Sequence, residues 1–75
     1  MQQISRKEHI DWAKGRAEEY LVLSRVQESW DSFSSDLQKH PDTANHPALE
    51  IGLMSLMLGE LSTVQEMREF IQGFN

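Results

Sequence analysis

By residue type, the groups best suited to chemistry in this chain are three histidines, His9, His40 and His46, and the carboxylate Asp42. His40 and His46 bracket the segment "HPDTANHP" with Asp42 between them, a set that could in principle ligate a divalent metal. The spacing follows none of the recurrent ligand patterns, and histidines at helix ends ordinarily cap the helix or answer its dipole. No metal and no cofactor is therefore expected. Serines recur at Ser5, Ser24, Ser29, Ser32, Ser34, Ser35, Ser55 and Ser62. None lies in the strand–turn–helix elbow that exposes a nucleophile, and several fall where helices should begin. The carboxylate pairs Glu18–Glu19 and Glu66–Glu69 belong to polar, solvated faces, and the isolated Gly15, Gly52, Gly59 and Gly73 build no phosphate-cradling loop. A chain of 75 residues also leaves little material to support an active-site cleft. The sequence reads as non-enzymatic, with no catalytic residue.

Binding chemistry is better represented. Arg6, Lys7, Lys14 and Arg16 cluster near Trp12, and several copies assembled around them could make a pocket for a small anionic nucleotide. The interleaved Glu8, Asp11, Glu18 and Glu19 argue instead for a helix laced with ion pairs. Trp12 lies off the apolar stripe of its helix, which suits either an interface anchor or packing against a neighbouring helix end.

The elements that would position these groups are helical. No segment alternates apolar and polar residues, whereas helix punctuation recurs. In "SRKE", Ser5 and Glu8 form a capping box that starts a helix over about 6–22, with Ile10, Ala13, Ala17, Tyr20 and Leu21 inward. Gly15 in its middle costs roughly 1 kcal/mol against alanine and could admit a second helix closely. "SRVQ" repeats the box, so Ser24 is expected to cap a helix over about 25–39, with the stripe Val26, Trp30, Phe33 and Leu37 opposite Glu28, Asp31, Ser32, Ser35 and Asp36. Pro41 ends it and Pro47 opens a third helix, about 47–58, that Gly59 stops. Ser62 or Thr63 caps a fourth, about 63–72, whose inner face is Val64, Met67, Phe70 and Ile71, with Phe74 folding back after Gly73. The expected fold is all-α: a single domain over 1–75, a compact four-helix bundle of two antiparallel hairpins.

The first hairpin resembles a tetratricopeptide unit. Ala17, Tyr20, Ser29, Phe33 and Pro41 fall at that repeat's glycine, tyrosine, alanine, phenylalanine and proline spacings. Shifting by one repeat length reaches Met54, Thr63 and Met67, which make no second copy, so the chain is not a solenoid.

Composition limits the partners. Net charge is −5 and cysteine is absent, which removes disulfides and thiolate metal sites and disfavours direct nucleic-acid binding. The opening "MQQISRKEH" has no apolar run, and the longest oily stretch is too short to span a bilayer, so a cytoplasmic protein without membrane association is expected. That stretch, "HPALEIGLMSLMLGEL", is apolar nearly all round, with Glu50 and Ser55 its only polar interruptions before Gly59. Such a helix is normally buried, here as the core of the bundle. The rest of its girth then needs the Met1–Ile4 segment, a second copy in a homodimer, or a partner held through Met54, Met57 and Leu58.

Three stretches, "RKEHIDWAKGRAEEYL", "SSDLQKHPDT" and "HPALEIGLMSLMLGELSTVQEMREFIQGFN", together resemble a family of small phage- and prophage-encoded proteins of unassigned function. The shared motifs are an "SDL-KHP" turn at Ser35, Asp36, Leu37, Lys39, His40 and Pro41, and a closing "EMR-FI-GFN" at Glu66, Met67, Arg68, Phe70, Ile71, Gly73, Phe74 and Asn75. The chain departs in "VLSRVQES", where the family leads one to expect a glycine-containing connection. The resemblance implies a phage accessory protein, acting in the bacterial host cytoplasm on a host or phage protein, for instance to inhibit a host defence system. Trp12, Arg16, Met54, Met57 and Leu58 are the expected partner-binding residues. The alternatives are an oligomeric sponge for an anionic nucleotide and a structural or assembly protein.

Overall fold

A computed structural model describes residues 5–74. The four helices are α1 (Arg6–Val22), α2 (Val26–Leu37), α3 (Pro47–Met57) and α4 (Val64–Gln72). Among the described residues there is no strand, and no helix is long and apolar enough to cross a membrane. The expected cover of α3 by Met1–Ile4, like the closing Asn75, lies outside the described residues.

Local chemistry accounts for most of the boundaries. Ser5 accepts the Glu8 N–H at 3.1 Å while the Glu8 carboxylate reaches back to the Ser5 N–H at 3.3 Å. Thr63, rather than Ser62, makes the same reciprocal box with Glu66. Pro47 takes the first position of α3, and His46 caps it by accepting the Ala48 N–H at its Nδ1, 3.0 Å away. α3 ends in a paired-hydrogen-bond stop: Gly59 donates to Leu56, Glu60 donates to Ser55, and Gly59 holds φ +80°.

The expected Ser24 cap is not formed. Ser24 donates its backbone N–H to Leu21, Arg25 donates to Tyr20, and Ser24 itself adopts φ +60°. The same C-terminal stop that Gly59 makes for α3 is thus made for α1 by a serine in a backbone region where only glycine is unstrained. Ser24 terminates α1 and so cannot cap α2, whose N-cap is Arg25 without a side-chain hydrogen bond.

α1 and α2 form a tight antiparallel hairpin. Ala13 and Ala17 are fully buried against α2, and Ser29 donates its hydroxyl to the Ala17 carbonyl at 3.0 Å. α4 packs across both helices, antiparallel to α1. Arg68 pairs with Glu18 at 2.8 Å, and Lys14 donates to the Gln72 carbonyl at 3.1 Å. Phe33, Leu37, Met67, Ile71 and Phe74 close the core, with Phe33 and Phe74 meeting edge to face. Thr43 anchors the loop by donating its hydroxyl to the Leu37 carbonyl at the end of α2.

The third helix is not the core. Gly52 is its only buried residue, while Ala48, Leu49 and Leu56 are partly covered. α3 rests on the bundle along this narrow strip because Gly52 sits directly on the ring of Trp30, with Phe70 beside it. A Cβ at Gly52 would lie 2.5 Å and 2.8 Å from Trp30 atoms and 2.9 Å from Phe70. Gly15 has the opposite character: nothing lies within 4 Å of a Cβ there, so it admits no close neighbour.

Three tests follow from these backbone positions. Ser24→Gly should raise stability in urea unfolding by about 1 kcal/mol, by relieving the left-handed serine; an unchanged or lower midpoint would contradict the strain. Gly52→Ala should cost roughly 1–3 kcal/mol through overpacking and change the near-ultraviolet signal of Trp30. Gly15→Ala, in open space, should instead stabilise by roughly 1 kcal/mol.

Candidate functional site

Two surfaces carry the residues singled out by the sequence, and the structure does not merge them. The first is a polar cluster on the α1–α2 seam. Asp36, counted by pattern among the solvent-facing residues of α2, is buried. Its carboxylate takes Arg16 Nε at 2.7 Å, Lys39 Nζ at 3.3 Å and the Ser32 hydroxyl at 3.4 Å, while its backbone carbonyl accepts from His9 Nε2. Asp36 follows Phe33 by three residues and precedes Leu37, which puts it on the apolar stripe; that spacing was the signal for its burial. His9, four residues before Ala13, carried the same signal.

Trp12 covers this cluster. Its indole is 43% exposed, lies 5.0 Å from the Arg16 guanidinium and 5.9 Å from Lys39 Nζ, and meets the His9 ring at 5.4 Å. His9 in turn packs on His40 at 5.1 Å. The rings and charges around Trp12 and Arg16 thus come from α1 and the end of α2. Cations over an indole face are held by its quadrupole, so the tryptophan and its two cations brace the hairpin.

The histidines do not assemble a metal site. His40 Nδ1 accepts the Asp42 N–H at 3.0 Å, His46 Nδ1 accepts that of Ala48, and the His46 ring packs on Phe74 at 4.4 Å. Among the described residues no group of three or more histidines, cysteines or carboxylates could hold a metal ion.

Arg6, Lys7 and Lys14 line a shallow groove together with Ile10, Asp11 and Phe74, while Arg16 faces Asp36 instead. Within one chain, Arg16 is thus set apart from Arg6, Lys7 and Lys14. Lys7 is paired with Asp11 at 2.7 Å, and their hydrogen bond holds the Asp11 carboxyl below the ordinary carboxylate range and the Lys7 ammonium above its own. Hydrogen bonding to Glu18 likewise raises Arg68. Lys7 and Asp11 face solvent, where such a pair contributes little to stability, whereas Arg68 and Glu18 are half-buried where α4 meets α1.

The second surface is the outer side of α3. Ile51 is 57% exposed, Leu53 49%, Met54 62%, Met57 78% and Leu58 72%. On one side this face runs into an open groove of about 480 Å³ between α2 and α3, floored by Trp30, Leu49 and Leu53 and flanked by Asp31 and Glu50. Val22 and Leu23, at 70% and 62%, form a smaller exposed pair at the end of α1 that the sequence reading did not single out.

Compared with protein-family models, curated proteins and solved structures, this chain matches none.

Arg16→Ala leaves the Asp36 carboxylate, whose side chain is 2% exposed, with Lys39 as the remaining cation of the pair it shared. The expected loss in urea unfolding is about 2 kcal/mol, because a desolvated charge is costly when its partner is removed. Lys7→Ala, which breaks an exposed pair, should leave the unfolding curve where it is. Equal effects from the two variants would show that the Asp36 cluster is no more structural than a surface ion pair.

Proposed function

We propose that this chain is a non-catalytic binding protein that docks on another protein through the outer face of α3. The observation that carries this reading is the exposure of Ile51, Leu53, Met54, Met57 and Leu58 along one helix. Soluble monomers rarely leave a contiguous apolar patch of more than a few hundred Å² uncovered, and those that do use it for association or ligand binding. Methionines suit such a surface because their flexible thioethers repack against different shapes. Trp12 and Arg16 are assigned to bracing the hairpin, and Met54, Met57 and Leu58 to the partner. The resemblance to small phage- and prophage-encoded proteins supports a host protein as that partner, with interference in a host defence as the role to examine first.

Met57→Glu is the direct test. Met57 is among the most exposed apolar residues, so the variant should unfold within about 0.5 kcal/mol of the parent, as surface substitutions do. In native mass spectrometry of tagged protein gently recovered from bacterial lysate, the parent should carry an additional protein mass that the variant lacks. Unfolding of Met57→Glu, or identical spectra for both, would remove α3 as a docking face.

A further inference from the structure

We propose, building on the docking role of α3, that the occupant of this face is a cationic amphipathic helix of a partner protein. Its apolar stripe would lie along Leu53, Met54, Met57 and Leu58, and its lysines and arginines would meet Asp31 and Glu50 at the groove.

The shape of the surface supports a helix. Residues 50, 51, 53, 54, 57 and 58 sweep roughly 160° of α3 at about 100° per residue, and Glu50 is the only polar side chain among them. The eleven residues of α3 extend about 16 Å, enough to match three turns of another helix. The groove beside it reaches from Leu53 to Leu49 and Trp30 and is otherwise lined mainly by polar side chains, among them Ser34, Gln38 and Asn45. An apolar stripe read at helical spacing against a complementary face is a standard mode of peptide recognition.

Charge selects the partner. Asp31 and Glu50 flank the groove, and no lysine or arginine is among the described residues lining it. Residues 40–74 contain Asp42, Glu50, Glu60, Glu66 and Glu69 against the single base Arg68, five acids to one base and a net −4. That one base is already paired with Glu18. A second copy docked face to face through α3 would offer Glu50 no cation from the facing helix or its groove, because neither holds a lysine or arginine. An anionic membrane surface would be repelled in the same way. A helix with basic flanks meets both the oily stripe and the carboxylates, whereas a like-charged partner sets carboxylate against carboxylate.

The test uses the full chain and two synthetic 18-residue helical peptides, one patterned with leucine and lysine and the other with leucine and glutamate. Binding is followed by fluorescence anisotropy across a salt series. The leucine–lysine peptide should bind and weaken as salt rises, and the leucine–glutamate peptide should not bind. Neutralising the groove with Asp31→Asn and Glu50→Gln should weaken binding about fivefold and flatten the salt dependence. Met57→Gln should weaken it with the salt dependence unchanged. Equal binding of both peptides, or binding insensitive to the neutralised groove, overturns the cationic partner while leaving α3 as a docking face. If neither peptide binds and sedimentation shows a dimer that Met57→Gln dissociates, the occupant is a second copy and this proposal fails. If neither peptide binds and the chain is a monomer, the cationic helix fails as the occupant, and the lysate comparison of Met57→Glu with the parent decides the docking role separately.

Discussion

The close crossing of α1 and α2 is the constraint on which the rest of the molecule rests. Two alanines on one helix and a serine on the other allow the backbones to approach, and the Ser29 hydroxyl closes the contact on the Ala17 carbonyl. The approach is what carries Asp36 out of water and up to Arg16. Once buried, that carboxylate requires its cations, and Trp12 covers them. The polar cluster is therefore a consequence of the crossing as well as a clamp on it. Burying the carboxylate carries a desolvation cost, so its contribution lies in holding one register of the hairpin rather than in added affinity between the helices.

The same crossing explains why α3 is left outside. With α1, α2 and α4 enclosing Phe33, Leu37, Met67 and Ile71, a small core is already filled. A chain this short has little further apolar volume to offer a fourth helix. α3 meets the bundle edgewise, with Gly52 on Trp30, and the rest of its oily girth stays in solvent. Burial and exposure are thus divided between two parts of a small molecule. The α1–α2 seam and α4 hold the fold, and α3 presents the surface.

Much of the fold could be read from local pattern. Ser5 with Glu8, Thr63 with Glu66, and Pro47 after His46 act over three residues or fewer, so helix starts are decided by near neighbours. Ile10, Ala13, Ala17 and Leu21, and Trp30, Phe33 and Leu37, are buried as their spacing requires, while Tyr20 and Val26 of the same stripes are only half-buried. Ser24 shows where local reading misled. The residue has a capping side chain and a partner three residues on, yet the chain must reverse there to bring α2 against α1. Reversal needs a residue at positive φ, and that demand outweighed the cap.

What the sequence by itself determined was the helical class, the approximate extents of the helices, the absence of disulfides and the acidic balance, all set by composition or by contacts within a turn. What only the tertiary structure decided was which apolar residues become core. Leu37 and Leu58 are the same side chain at the C-terminal end of α2 and of α3, but one is fully buried and the other 72% exposed. Hydrophobicity is non-directional and names no partner. The allocation depends on how many helices the core can hold and on which of them crosses closely enough to claim the interior.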